Sequence, residues 1–447
     1  MNVDWGARDR APHTDPAFPT LAACLGPPER GARLVNVYYY PGRTLQAVHA
    51  LPDGRIVTVE PPPVEDVVPG RGVPRVPRAP LGPGETWDAS LRAVVRRFPH
   101  DPGLPSLPTL AASAGVRAGE VLTYLPGRRA VLRVGRRVAK VSDPRTVRRN
   151  HDRQLQLWRH PDRSFRMAQP RQLDEPLAVR WEAAVEGKPL LHALGTADVE
   201  ALAADLGSQL AALHTLDGIG LTLADHGPVA LGQRWRAKTV RTIGRALPGL
   251  APRAADLLDR LVAHPPDTAA TRTLVHGDFH AANIVSTPAG VVVLDLDELG
   301  RGDPELDVAV LVGRLLLVAL TRGEQSGMPG ARLPVLASAF VRAYEQAACQ
   351  QLRPEVFSWY LAGSLVGRQV KTSIRHLAPR LSWLCSSLVQ LAELAEPATA
   401  SLSGGAVGLV EALTAQVSGH PGAGSTAAVA VPLWGRGHTG ADVAVRA

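Results

Sequence analysis

Between Leu274 and Leu311 the chain reads LVHGDFHAANIVSTPAGVVVLDLDELGRGDPELDVAVL, and its polar residues fall in an order that could do chemistry. His276-Gly277-Asp278 is followed by Asn283, then by Asp295 at the end of the apolar run from Gly290, then by Gly302-Asp303-Pro304 and Asp307. Phosphoryl transfer needs one carboxylate to orient an attacking hydroxyl and take its proton. It also needs hard oxygen donors, such as an amide and a second carboxylate, to hold Mg2+ against the phosphates. A loop carrying Asp-x-x-x-x-Asn, followed by a strand ending in Asp, presents such groups to one cleft.

The elements that must position these residues divide the chain in two. Upstream, Tyr40-Pro41-Gly42-Arg43 lies between the β-rich runs LVNVYYY and TLQAVHA, and Leu125-Pro126-Gly127-Arg128 lies between EVLTY and RAVLRV. Pro-Gly suits the central positions of a type II turn, and both flanks are β-branched or aromatic, so each unit reads as a three-stranded meander. The two form a weak internal repeat, with Lys140 in the third strand of the second copy and Thr58 at the corresponding place in the first. Lys140 stands inside an apolar run, in a chain whose other lysines are Lys188, Lys238 and Lys371.

Downstream the periodicity is mostly helical, with helices expected over 146–158, 199–216, 254–263, 305–320, 333–350 and within 354–394, and strands over 177–185 and 290–296. A β-rich half followed by a helix-rich half predicts a two-lobed α+β plan. Residues 61–85 are dense in Pro and Gly and read as a linker. The expected organisation is a cap or degenerate meander repeat over 1–85, a nucleotide-binding lobe over 86–182, a helical lobe over 183–395, and a flexible Ala/Gly/Ser-rich tail over 396–447.

These motifs resemble the aminoglycoside phosphotransferase and choline kinase branch of the protein-kinase-like fold, with its His-Gly-Asp-x-x-x-x-Asn, Ile/Leu-Asp and Gly-Asp-Pro-x-x-Asp elements at the family's spacing. The resemblance covers about Val121 to Leu394 and implies a two-lobed kinase-like fold preceded by an added cap. It implies Asp278 as catalytic base, Asn283 and Asp295 as magnesium ligands, and His276, Asp303 and Asp307 as structural support. It also implies that Lys140 contacts the α- and β-phosphates of ATP, that the turn at Gly127 lies over the phosphates, and that backbone groups of Ala183, Ala184 and Val185 meet the adenine. Asp297 and His280 are secondary candidates, and His214 reads as a packing residue. Kinases orient their lysine with an acid on the following helix, where this chain offers only Asp152. The implied activity is transfer from ATP and Mg2+ to a small-molecule hydroxyl, on a sugar, an amino alcohol, an aminoglycoside or a natural-product intermediate. The alternative is a pseudokinase that binds nucleotide without turnover.

Composition bounds the rest. The chain has 447 residues, 45% hydrophobic and 20% charged, which excludes collagen, coiled coil and wholesale disorder. Cys24, Cys349 and Cys385 are too scattered for a disulfide framework or a zinc cluster. The longest apolar run, Val308 to Leu320, is interrupted by Arg314 and is too short to span a bilayer. With no secretory signal in the first residues, a cytoplasmic location is the expectation. The net charge of +8 is spread along the chain among few aromatics, which argues against nucleic acid as a partner.

Overall fold

The computed structural model describes residues 22–61, 81–114, 120–217, 220, 222–268, 272–321, 332–378, 380–397 and 404–418. Its first sheet contains β1 (Arg33–Tyr40), β2 (Thr44–Ala50), β3 (Ile56–Glu60), β4 (Glu85–Asp88) and β5 (Ala93–Arg97), in the order β1-β2-β3-β5-β4. The second contains β6 (Val121–Leu125), β7 (Arg129–Val134), β8 (Arg137–Val141), β9 (Pro170–Asp174) and β10 (Val179–Ala183), in the order β6-β7-β8-β10-β9. Gly42 and Gly127 turn the first hairpin of each sheet at φ +66° and +72°, a region that penalises a side chain.

The boundary expected at residue 85 moves. β5 pairs with β3 from Val57↔Arg97 to Glu60↔Val94, and β4 adds to its outer edge, so the first sheet extends to Arg97. Residues 62–80 of the Pro-rich stretch lie outside the described residues. After α1 (Leu107–Ala114) and the meander β6–β8 comes α2 (Pro144–Arg159), with Pro at its start and the Asp143 carboxylate accepting the Arg145 N–H.

The helical lobe begins with the short α3 (Leu190–Ala193) and α4 (Val199–His214), followed by α5 (Pro228–Ala246) and α6 (Ala251–Ala263). α5 was not expected from the sequence. Its buried Leu231, Trp235, Ile243 and Ala246 follow a helical period, but arginines and threonines between them dilute the pattern. α7 (Glu305–Thr321) is apolar around most of its circumference and buried from Glu305 to Leu320, the mark of a central core helix. Around it lie α8 (Arg332–Ala348), α9 (Pro354–Ser364), a π-helical turn over Leu365–Val370, α10 (Lys371–Arg375) and α11 (Leu381–Ala395).

The tail expected to be flexible contains α12 (Gly405–Ser418), which buries Ala406, Leu409, Val410, Leu413 and Val417. Those positions form an apolar face at helical spacing that the surrounding glycines and small residues mask. Residues 419–447 lie outside the described residues.

Two small sheets hold the stretch from Leu274 to Leu311. β11 (Lys188–Pro189), β14 (Ile284–Thr287) and β15 (Gly290–Val293) make one, in that order. β12 (Ala224–Asp225), β13 (Thr273–Val275) and β16 (Gly300–Gly302) make the other, with β16 central. The first large sheet touches both lobes. The Tyr38 hydroxyl donates to the Tyr124 carbonyl at 2.8 Å, while the His376 Nδ1–H donates to the Val37 carbonyl at 2.9 Å.

Candidate active site

The loop after β13 is shaped by a buried acid on α7. The Asp307 carboxylate accepts the N–H of His276 at 2.6 Å and of Gly277 at 2.9 Å, and takes a third contact from His214 Nε2 at 3.1 Å. Burial opposes ionisation of Asp307, but His214, His276 and the backbone donor outweigh it and hold the carboxyl below its usual range. His214 also receives the Tyr344 hydroxyl at 2.8 Å, so its packing role agrees with the sequence expectation. Asp303 accepts the Tyr360 hydroxyl at 2.8 Å and Arg353 Nη2 at 2.6 Å, joining the loop to the start of α9. The His276 ring donates through Nε2 to the Leu294 carbonyl at 2.9 Å, while Nδ1 accepts the Asp278 N–H at 3.3 Å. These bonds clamp the loop to the segment that precedes Asp295.

Asp278 points toward cations. Arg368, in the π-helical turn, donates to Asp278 Oδ1 at 2.7 Å and to the Gly277 carbonyl at 2.6 Å, and His280 Nε2 lies 3.4 Å from Oδ2. Burial works to raise the Asp278 carboxyl, yet His280 and Arg368 prevail and push it far below the usual range. His280 caps the single turn Ala281–Asn283, its Nδ1 accepting the Ala282 N–H. The Asn283 side-chain amide donates to the Asp278 carbonyl at 3.1 Å. With its NH2 so engaged, Asn283 retains an amide oxygen for a ligand.

Asp295 follows β15 in a left-handed backbone conformation, φ 58° and ψ 58°, where a non-glycine residue is strained. Its carboxylate meets three cations of the second sheet: Arg129 Nη1 at 3.0 Å, Arg180 Nη2 at 3.7 Å and Lys140 Nζ at 3.8 Å. Burial is offset by Lys140, Arg129 and Arg180, so the carboxyl is held well below its ordinary value. Asp297 lies 2.5 Å from Arg180, but burial and the adjacent Asp295 charge raise its carboxyl. Arg129, Lys140, Arg180 and Glu182 share one face because the ladder pairs Val131 with Lys140 and Lys140 with Arg180, and side chains alternate along each strand.

Three expectations change. Asp152 is exposed on α2, and the partner of Lys140 is Glu182 at 2.9 Å, on the neighbouring strand β10 rather than on the helix. The Gly127 N–H is already engaged, because it donates to Asp101 Oδ2 at 2.8 Å, and the Arg128 N–H closes the turn on Leu125. Asp101 also accepts the Tyr124 hydroxyl at 2.7 Å, so the loop after the first sheet fastens this turn. At the hinge, the Ala183 N–H donates to Gln169 and that of Ala184 to Arg136, while no backbone bond among the described residues engages the Val185 N–H.

Sequence reading missed Glu182, Arg129, Arg180 and Arg368. For Glu182 the signal was the alternation Arg180-Trp181-Glu182 opposite Lys140. Arg368 had none, since it reaches Asp278 from a distant helix.

Residues 85–354 match the phosphotransferase enzyme family model. Similar solved structures include the amicoumacin kinase hAmiN in complex with AMP-PNP, Ca2+ and Ami, 14% identical over 64% of this chain and 92% of that one, with a TM-score of 0.45. A glucosamine kinase is 21% identical over 88% of this chain and 98% of its own, with a TM-score of 0.44. The aminoglycoside phosphotransferase APH(3'')-Id from Streptomyces rimosus is 22% identical over 57% and 90%, with a TM-score of 0.37. No curated protein matches the chain. A β-rich lobe carrying a buried lysine, a helical lobe carrying the loop with Asp278 and the acids that follow it, and a family match over most of both lead to one assignment: this chain has the two-lobed, kinase-like α+β fold and belongs to the phosphotransferase enzyme family.

Proposed function

We propose that the chain transfers the γ-phosphate of ATP, taken as its magnesium complex, to a hydroxyl of a small molecule. One juxtaposition carries this reading: Lys140 of the second sheet and Asp295 of the helical lobe face each other at 3.8 Å across the cleft. Lys140 would grip the phosphates, oriented by Glu182. Asn283 and Asp295 would hold Mg2+, and their hard oxygens suit it. The buried Asp295 Oδ1 accepts no hydrogen bond among the described residues and is available to a ligand. Magnesium on a nucleotide takes one or two carboxylates and fills its shell with phosphate oxygens and water. The absence of a group of three or more His, Cys, Asp or Glu side chains placed to hold a metal among the described residues is therefore compatible with it. When bound, the ion supplies charge neutralisation at the phosphates.

Asp278 orients the acceptor hydroxyl. The hydroxyl oxygen forms a bond to the γ-phosphorus as the bond to the bridging oxygen of ADP breaks; ADP leaves with the electron pair, and the hydroxyl proton passes to Asp278 and on to solvent. Held ionised by His280 and Arg368, Asp278 is a weak base, adequate where the transition state is loose and the proton leaves late. Binding without turnover is the second reading. It draws on the two arginines, Arg368 on Asp278 and Arg129 on Asp295, that occupy the working carboxylates.

Phosphorus NMR of the chain with ATP and Mg2+, beside Asp295→Ala, separates the readings. Magnesium-dependent broadening of the ATP signals with gradual ADP formation, both lost in the variant, supports transfer. Broadening without ADP, even with hydroxyl acceptors supplied, supports binding alone.

A further inference from the structure

The wall beside Asp278 is rich in cations: Arg368 is paired with Asp278 itself, while Arg314 and Lys371 have no ion pair among the described residues. Arg314, on the central helix α7, is 4% exposed, and its one hydrogen bond among the described residues is a long one, 3.4 Å from Nη1 to Gln369 Oε1. Its Nε is buried without a partner, and no ion pair reaches it among the described residues. A guanidinium stays charged inside a protein, so burying one without a counter-ion is costly. Among the described residues, Asp278 is the acid whose charge acts on it, from beyond ion-pair distance.

Arg368 in the π-helical turn is followed at intervals of three and four residues by Lys371 and Arg375 on α10, and both arginines lie close enough for their charges to act on Lys371. The row starts at the Asp278 carboxylate, which Arg368 touches, and ends where Arg375 stacks on the Tyr40 ring of the first sheet at 5.3 Å. Lys371, between them, forms no ion pair among the described residues.

We propose that the acceptor carries an oxyanion, a carboxylate or a phosphate ester, which Arg314, Arg368 and Lys371 hold while its hydroxyl meets Asp278. This rests on the reading that Asp278 addresses the acceptor. An oxyanion supplies the buried guanidinium with its missing counter-ion and competes with Asp278 for Arg368, freeing a carboxylate oxygen for the hydroxyl. A polycationic acceptor would meet the same row as repulsion. Lys371 is surrounded by Arg375, Arg368 and, from α5, Lys238, with Asp278 the opposing charge; burial and these cations push its ammonium down to about 8. Anion affinity therefore falls as the pH rises through about 8.

Calorimetric titration of the full chain, saturated with Mg2+ and AMP-PNP, tests the proposal with inorganic phosphate, glucose 6-phosphate, glucuronate, glucose and glucosamine. The anionic sugars should bind at least about tenfold more tightly than glucose and glucosamine. Lys371→Met and the buried substitution Arg314→Met should each erase that preference, and Lys371→Arg should restore it. The proposal is overturned if glucose or glucosamine binds as tightly as the anions, if none of the anions binds at about 10 mM, or if both methionine variants keep the preference. Failure of AMP-PNP to bind would sink the transfer reading instead; the same titrations on the nucleotide-free chain would still decide the anion site.

Discussion

The two five-stranded sheets have the same strand order and the same Pro-Gly turn. In the second, Lys140 lies opposite Val131 on one side and Arg180 on the other; in the first, Thr58 lies opposite Val48 and Arg96. The arginines differ in what they face. Arg96 pairs with Glu85 at 2.8 Å and Glu60 at 3.5 Å, acids of its own sheet. Arg180 has Glu182 of its own sheet at 3.5 Å but also reaches Asp297 and Asp295, acids of the other lobe. The corresponding face of the first sheet is closed, with Tyr38, Val48 and Ile56 packed against Leu104, Leu107 and Tyr124. A shared topology thus provides a scaffold in both places. Only the sheet whose charged face meets the loop of the helical lobe has groups that could do chemistry.

The sharpest break in that comparison is on the loop itself. Asp278→Asn should lower the transfer rate by about a thousandfold while ATP still binds, read by steady-state ADP release and by titration. Equal loss of both would make Asp278 structural. Exchanging the ladder residues comes next. Lys140→Thr should weaken ATP binding by about ten- to a hundredfold, the size of a lost charge-assisted bond. Thr58→Lys should confer no second nucleotide site and should cost about 3 kcal/mol or more in denaturant unfolding, because Thr58 is 1% exposed and a buried ammonium there would lie opposite the Arg96 cation. Glu182→Gln should cost ATP affinity about tenfold, and an unchanged affinity would remove it as the orienting acid. The smallest effect falls on the first sheet's attachment. Burial, then Arg375 and Arg314, push His376 down from 6.5 to about 3. Its folded value is depressed, so its contribution is complete above about 6.5 and is lost as the pH falls toward 3. His376→Gln should flatten that acid limb of thermal stability by about 1–2 kcal/mol.

Local pattern and long-range register were unequally legible. The loop acids, Asn283 and Asp295 fall in one continuous stretch, and Lys140 stands out by type and setting, so sequence brings them forward together. Glu182 does not, because its pairing with Lys140 depends on the register of β8 against β10, two strands separated by α2 and β9. The membership of β4 and β5 in the first sheet was hidden in the same way, by an intervening Pro-rich stretch. Arg314 and Arg368 are further cases: nothing along the chain marks them, and only the packing of α7 and the π-helical turn brings them to Asp278.

The contacts of Asp307 bear on how the protein fails. The loop bearing Asp278 takes its shape from two amide bonds to an acid on the buried core helix α7, so it has no independent stability to lose. Heat inactivation should then coincide with cooperative melting of the helical lobe, with no window in which the chain is folded and inert. Asp307→Asn, which keeps the side chain's shape but exchanges an acceptor for a donor, should uncouple the two, so that activity disappears several degrees below the melting transition.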